Sequence, residues 1–577
     1  MCGIVGVVRQ EPVTGLNLRL ILKILLEELQ HRGHDSAGIT IIDNYFKLTG
    51  IKRVGAVTEA ISRGWVYDAL RYLELAGIGH VRYPTYGSAL ALDETNLLFV
   101  DSPENENPSN PPKMVNAQPF YKVIKDQNGK FIEGFALVHN GEIINSERIK
   151  EKLKNKGHKF HGTTDSEVIL CLLYHLIRCK NLEPVEAIRL AMTILRGSYS
   201  CIFITPEKTY AFKDPYANRP LDIASLEIEG EKLWILASES CAWHKLQAKH
   251  YHTIQPGEIV EFTPGTRHLP KCYPMDLKLL PQYLGLCLFC PYYLQALRSK
   301  NNRRIRKGLG RELFKIWPRK GLVVPIPNSG IGAAEGYHDA QVSYYSERGI
   351  ARMVSAIIKD PTVGRSFLEP DQEARKIKNR IKYVLGFDQY EDIILFLAEN
   401  EEYIHIILVD DSLLRGNVSG ILIEIIRQHL KYHFPELYEA NRFKLVWLSS
   451  APPYIFPCNL GVNTAQQDEL VAYLWLRDEK KIIRPTMADI LDLTNVDQYQ
   501  LSQFVCKTIR ADEMVYLPLQ PALEIAAKNI SFGSKMDKIN EGDYSHVHQK
   551  DFCAGCFTGY FPIIDDVTDE MIDSVID

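Results

Sequence analysis

From residue 2 to about residue 265 the chain alternates short apolar runs with segments of helical period. Residues 4–8, 135–139, 200–205 and 233–237 are apolar runs of strand length, while 18–30 and 166–177 carry apolar residues at helical spacing, the second behind the candidate cap Thr164. This half reads as α+β. Near Pro281 the pattern changes. Residues 323–327 and 406–409 are apolar runs of the kind that parallel sheets bury on both faces, and each leads into a turn and then a helix-period segment, 421–429 after the second. Strand, turn and helix in repetition predict a doubly wound α/β domain with ligands at the carboxyl ends of its strands. The polar stretch 92–113 predicts an exposed loop and 387–403 an acidic insertion; no internal repeat is visible. The expected domains are 2–265, 281–520 and a tail, 521–577.

Length agrees with this division, because 577 residues exceed what one core usually organises. With 67 Lys and Arg against 71 Asp and Glu there is no global basic field for nucleic acid or anionic lipid, so any phosphate chemistry must be local. No basic stretch followed by an apolar run opens the chain. The longest apolar stretch, 284–297, is too short to span a bilayer and contains Pro291 and Gln295. These features predict a cytoplasmic protein with neither membrane nor nucleic-acid partner. Twelve cysteines in such a chain are nucleophiles, metal ligands or inert core residues rather than a disulfide framework.

Cys2 follows Met1 directly and precedes Gly3. Once Met1 is trimmed, its α-amine, with an ordinary pKa of about 7.7 to 8.0, can take the proton of its own thiol. Four further motifs follow in order: residues 31–38 (His-Arg-Gly-His-Asp-Ser-Ala-Gly), 79–85 (Gly-His-Val-Arg-Tyr-Pro-Thr), 139–142 (His-Asn-Gly-Glu) and 164–167 (Thr-Asp-Ser-Glu). Together they resemble the glutaminase domain of class II amidotransferases, an amino-terminal-nucleophile fold with αββα layers. The resemblance implies that the Asn140 side chain and the Gly141 N–H form an oxyanion hole for attack by Cys2. It also implies that Arg82 binds the α-carboxylate of glutamine and Asp165 its ammonium. Singly, Arg82 reads as a surface ion pair, Asn140-Gly141 as a turn and Asp165 as a helix cap; five ordered motifs favour the catalytic assignment.

The second half selects the acceptor. Neither paired Ser/Thr-rich sugar-phosphate loops nor a Ser-Gly-Gly pyrophosphate loop is present, which argues against a sugar isomerase or an asparagine synthetase. Instead an apolar strand ends in Asp410, Asp411 and Ser412, followed by Arg415, Gly416 and Ser419 at the start of a helix. Backbone N–H groups there can hold a phosphate, and the paired acids can hold ribose hydroxyls and Mg²⁺. The segment resembles the phosphoribosyl-pyrophosphate motif of type I phosphoribosyltransferases, α/β domains with a parallel sheet, and specifically that of the amidophosphoribosyltransferase family.

That resemblance implies Mg²⁺ contacts at Ser329, Asp410 and Asp411, and a loop closing over the diphosphate with Arg365, Arg380 and Lys382. The implied reaction is displacement of pyrophosphate by ammonia, giving 5-phosphoribosylamine. Homo-oligomers and purine-nucleotide inhibition are implied as well. Cys287, Cys458, Cys553 and Cys556 match the ligands of the family's iron–sulfur subgroup, implying a [4Fe–4S] cluster; a zinc site using Cys290 with Cys287 is the alternative. Two departures stand out. In residues 287–299 the Glu, Arg, Pro and Asp of the family segment are gone from their family positions, and Asn417 and Val418 replace two Thr of the phosphate loop. They keep open a paralogue with altered or lost acceptor chemistry, either a specialised-pathway amidotransferase or a ligand-sensing protein.

Overall fold

The structure, a computed structural model, describes residues 2–11, 16–67, 73–83, 97–98, 116–125, 127, 131–276, 278–295, 300–345, 352–360, 380–462, 464, 466–493, 498–529 and 549–577. Among these, the first half holds two antiparallel sheets. One runs, in spatial order, Lys249–Thr253, Asp222–Ile228, Glu231–Ala237, Gly3–Arg9, Glu74–Arg82, Ser36–Asp43, Leu48–Val54 and Leu97–Leu98; the other runs Lys271–Tyr273, Ile259–Phe262, Thr209–Lys213, Gly197–Ile204, Phe131–Ile143 and Phe120–Lys125. The sheets face each other through Ile4, Val8, Ile78, Ala136, Val138, Ile202, Ile204 and Val260, all essentially fully buried. Helix Leu18–Glu28 covers the outer face of the first sheet, and helices Asp165–Arg178 and Pro184–Ile194 cover that of the second. The layering is αββα, as expected. Thr164 occupies the cap position, but its hydroxyl is buried without a hydrogen bond, so it does not cap. Asp165, at the first helical position, instead accepts the Ile143 N–H at 2.9 Å.

The second half is built on a parallel sheet, ordered Arg352–Met353, Leu322–Pro325, Ile404–Asp410, Phe443–Ser449 and Glu513–Tyr516 among the described residues. Strand alternation divides its apolar residues between two cores. Val323, Ile407, Val446 and Leu448 pack on one face with helices Lys300–Ile316 and Ile331–Tyr345. Val324, Ile406, Leu408, Leu445 and Trp447 pack on the other with helices Asn417–His433 and Gln498–Ile509. Burial on both faces is why these strands read as continuous apolar runs.

Residues 387–403 differ from the acidic insertion expected. They form a short turn, Phe387–Tyr390, and a helix, Glu391–Asn400, whose Ile394 and Leu397 join Phe387 in the second core while the acids face outward. Of the expected loop 92–113, Leu97–Leu98 forms a short strand on Leu48–Val54 and the rest lies outside the described residues. The apolar stretch from Leu286 to Tyr292 is buried core, and no described helix is long and apolar enough to cross a membrane.

The end of the chain touches both halves. Helix Leu519–Asn529 packs Ala522 and Ala526 into the core of the second half. Val567, Ile572, Val575 and Ile576, from helix Asp569–Ile576 and its approach, return to the first half and complete the core around Ile149 and Leu176. Arg148 with Asp565 and Asp569, and Lys152 with Asp573, pair around that contact at 2.7 to 2.9 Å.

Candidate active sites and cysteine centre

The first site gathers at one end of the sandwich. Cys2 precedes the buried strand Gly3–Arg9, and its carbonyl accepts the Arg32 Nε–H at 2.8 Å. Arg32 is itself buried and pairs with the buried Glu239, which also meets His31 Nε2 at 2.9 Å. The His31-Arg32 motif therefore holds the backbone of Cys2, the candidate nucleophile. Gly33 is required there by close approach, since a Cβ would stand 2.3 Å from the backbone of Arg82. Arg82 is paired only loosely, with its Nε 3.7 Å from Asp35. That leaves its planar fork able to engage a substrate carboxylate.

Asn140 and Gly141 lie on strand Phe131–Ile143, paired with Ser200 and Tyr199. Both amide atoms of Asn140 are buried without a hydrogen-bond partner, and a developing oxyanion would accept from the Nδ2–H, relieving the cost of that unpaired donor. A Cβ at Gly141 would fall 1.8 Å from the Ser198 carbonyl oxygen, so only glycine fits. Asp165 lies beside them, 3.7 Å from His139 Nδ1. His80, on the strand that carries Arg82, is fully buried; burial and the charges of Arg82 and His139 push its pKa well down, so it stays neutral.

The second site lies at the carboxyl ends of the parallel strands. Asp410 ends its strand, and Asp411 Oδ2 accepts the Ser412 hydroxyl at 2.8 Å while Oδ1 accepts that of Ser329. Burial and the neighbouring Asp411 charge push Asp410 well above the usual carboxylate range, with Lys382 opposing. A half-buried and a buried acid in contact are arranged for a cation. Gly416 adopts φ +76° at the amino terminus of helix Asn417–His433, and Ser419 is buried in its first turn. Arg415 pairs with Glu469 at 2.8 Å and Arg380 with Glu424 at 2.5 Å, so the structure places these two cations in surface ion pairs. Arg365 lies outside the described residues.

All the predicted cysteine ligands converge. Cys287 and Cys553 are paired across the short parallel strands Leu286–Cys287 and Phe552–Cys553. The Cys290 thiol contacts Cys287, and that of Cys556 contacts Cys458. The contact with Cys290 and the buried guanidinium of Arg219 hold Cys287 below its ordinary pKa, while burial and the thiol contact push Cys290 up. Among the described residues, the close-set groups of three His, Cys or carboxylate ligand atoms within 4.8 Å lie elsewhere and include none of these five cysteines.

Sequence reasoning missed the residues that join the sites. Arg306 is buried, donates to the Pro291 and Gln295 carbonyls at 2.9 and 2.6 Å, and feels the charges of both Asp411 and Glu239. Ser198 Oγ donates to the Leu460 carbonyl at 2.7 Å, fixing the loop after Cys458 against strand Gly197–Ile204, the neighbour of the strand that carries Asn140 and Gly141. Arg219 donates to the same carbonyl.

Residues 114–245 match the glutamine amidotransferase domain family. Amidophosphoribosyltransferase from Methanothermobacter thermautotrophicus is 31% identical over 82% of this chain and 84% of its own. The human enzyme of that name is 26% identical over 97% of each chain. The structure of glutamine phosphoribosylpyrophosphate amidotransferase from B. subtilis, complexed with ADP and GMP, superposes with a TM-score of 0.69 at 23% identity, covering 99% of this chain and 100% of that one.

Proposed function

This chain belongs to the amidophosphoribosyltransferase family, enzymes of the first step of purine biosynthesis, and from that premise we propose how its residues divide the reaction. Cys2, freed of Met1, gives its thiol proton to its own α-amine and attacks the glutamine carboxamide. The oxyanion goes to Asn140 Nδ2 and the Gly141 N–H, while Arg82 holds the substrate carboxylate and Asp165 its ammonium. Collapse releases ammonia, and water cleaves the acyl-cysteine to glutamate. At the second site Ser412, Ser419, Gly416 and the helix amino terminus hold the 5′-phosphate, with Arg365, Arg380, Lys382 and Arg415 available to the diphosphate as the loop closes. Ammonia displaces pyrophosphate from C1 there, giving 5-phosphoribosylamine. Mg²⁺, held by Asp410, Asp411 and Ser329, would neutralise charge on the leaving diphosphate.

The carrying observation is the buried, unpartnered amide of Asn140. In Asn140→Ala, glutamine-dependent turnover should fall by about two to three orders of magnitude, and ammonia-dependent synthesis should persist. Phosphoribosyl-pyrophosphate-dependent glutamate release, with chemical trapping of the aminated sugar, measures both. Full glutamine-dependent activity in Asn140→Ala overturns the assignment.

Cys287 and Cys458, half-buried, with Cys553 and Cys556, buried, would supply the four thiolates of a [4Fe–4S] cluster. Such a cluster would pin the last segment to the second half, and Arg219 beside it offsets thiolate charge. The same proposal places the enzyme in the cytoplasm as a homo-oligomer under purine-nucleotide control, supported by the ADP and GMP bound to the B. subtilis enzyme.

A further inference from the structure

Four groups of ligand atoms outside the sites above lie within 4.8 Å of one another: His158, His175 and Cys179; His31, Glu239 and Cys241; His252, Glu258 and Cys272; and Asp388, His429 and His433. In the first three, histidine nitrogens already have ordinary partners. His158 meets His175, which meets the Ile576 carbonyl; His31 meets Glu239, and His252 meets Glu258. The fourth differs. His429 Nε2 is buried and faces Asp388 Oδ1 at 3.2 Å, a contact that lacks the alignment of a hydrogen bond.

We propose that Asp388, His429 and His433 form a binding site for a first-row transition-metal dication of the zinc class. His429 and His433 are four residues apart on helix Asn417–His433, one turn, which sets their rings side by side with centroids 4.3 Å apart. Asp388 approaches from the facing turn Phe387–Tyr390. Two ligand atoms about 2.1 Å from a shared ion stand roughly 3.0 to 3.4 Å apart, so the 3.2 Å separation that fails as a hydrogen bond suits a pair bridged by metal. Burial and the neighbouring His433 keep His429 below its ordinary pKa, in the neutral form that ligates. Two imidazoles and one carboxylate select zinc, nickel or cobalt over Mg²⁺, and the half-exposed position leaves water to complete the shell. The site would staple the turn Phe387–Tyr390 to the last turn of the helix whose first turn carries the phosphate loop.

The test uses the full-length protein of fixed iron content, dialysed against Zn²⁺ or Co²⁺ in excess Mg²⁺. Compared with the parent, His433→Ala and Asp388→Asn should each lose one equivalent of bound metal or bind it at least about tenfold more weakly. Zn²⁺ should raise the melting temperature of the parent and not of the variants. The other three ligand groups are common to all these proteins and cancel. His433 lies at the helix end, so its replacement spares the core; Asp388→Asn, which keeps size and polarity, guards against a folding defect in the first variant. Equal stoichiometry and affinity in parent and both variants would overturn the proposal.

Discussion

Gly461 offers a direct measurement of how tightly the transferase half holds the oxyanion strand. It has φ +88°, and a Cβ there would stand 2.7 and 2.8 Å from the carbonyl oxygen and carbon of Gly141. Carbon–oxygen contacts settle at about 3.3 Å, so in Gly461→Ala the loop and strand must part by about 0.6 Å. Backbone strain adds to this, because a Cβ in the left-handed region costs about 1 to 2 kcal/mol. Gly157 separates the two effects: its φ is also +88°, and nothing lies within 4 Å of its would-be Cβ. Gly157→Ala should show the strain alone. Gly461→Ala should lose about 1 to 3 kcal/mol more, as overpacking does. Because a displacement of 1 Å can cost about 10²-fold in rate, its glutaminase turnover should fall about tenfold. Denaturant unfolding and glutamate release at saturating substrates give both quantities, with ammonia-dependent synthesis as the internal control. A Gly461→Ala enzyme as stable as Gly157→Ala and fully active with glutamine would refute the coupling.

Cys2→Ala should abolish glutamine use while ammonia-dependent synthesis persists, and retention of Met1, which turns the base into an amide, should be equally damaging in the same assay. Asn417→Thr with Val418→Thr should tighten phosphoribosyl-pyrophosphate binding by about one to two decades in calorimetry, since each restored hydroxyl bonds a charged phosphate; unchanged affinity would remove these positions from the phosphate site. Acid should loosen helix Asp569–Ile576. Burial and Lys122 push His158 from 6.5 down to about 4, so the folded state holds its ring neutral, and its contribution, complete above pH 6.5, is lost as pH falls towards 4. Protection factors of residues 569–576, with the intrinsic pH dependence of exchange divided out, should fall as pH drops across that window, and His158→Ala should show low protection throughout; protection in the parent that stays constant down to about pH 4.5 contradicts the linkage.

The residues legible in the sequence are those whose chemistry is local. Cys2, Asn140-Gly141, Asp410-Asp411 and the paired cysteines each sit in a motif of a few consecutive residues. Arg32 with Glu239, Arg306 and Arg219 were not legible as links, because their partners are hundreds of residues away or are backbone carbonyls, and a lone arginine in a sequence looks like a surface charge. Residues 387–403 misled for the opposite reason: their acids dominate the text, whereas Phe387, Ile394 and Leu397 decide the packing. Arg380 and Arg415 carried the right charge for a diphosphate, but Glu424 and Glu469 hold them in this structure. Only the folded chain brings those glutamates near.

The return of Val567, Ile572, Val575 and Ile576 to the amino-terminal half has a consequence for how the protein is made. A ribosome adds roughly 5 to 20 residues per second, so the glutaminase sheets are complete roughly 15 to 60 seconds before the helix that covers Ile149 and Leu176 has been synthesised. For that interval the nascent enzyme carries an open apolar socket. Folding of the first half can start during translation and cannot finish until the last residues arrive, which makes chaperone protection of that socket a matter of synthesis rate.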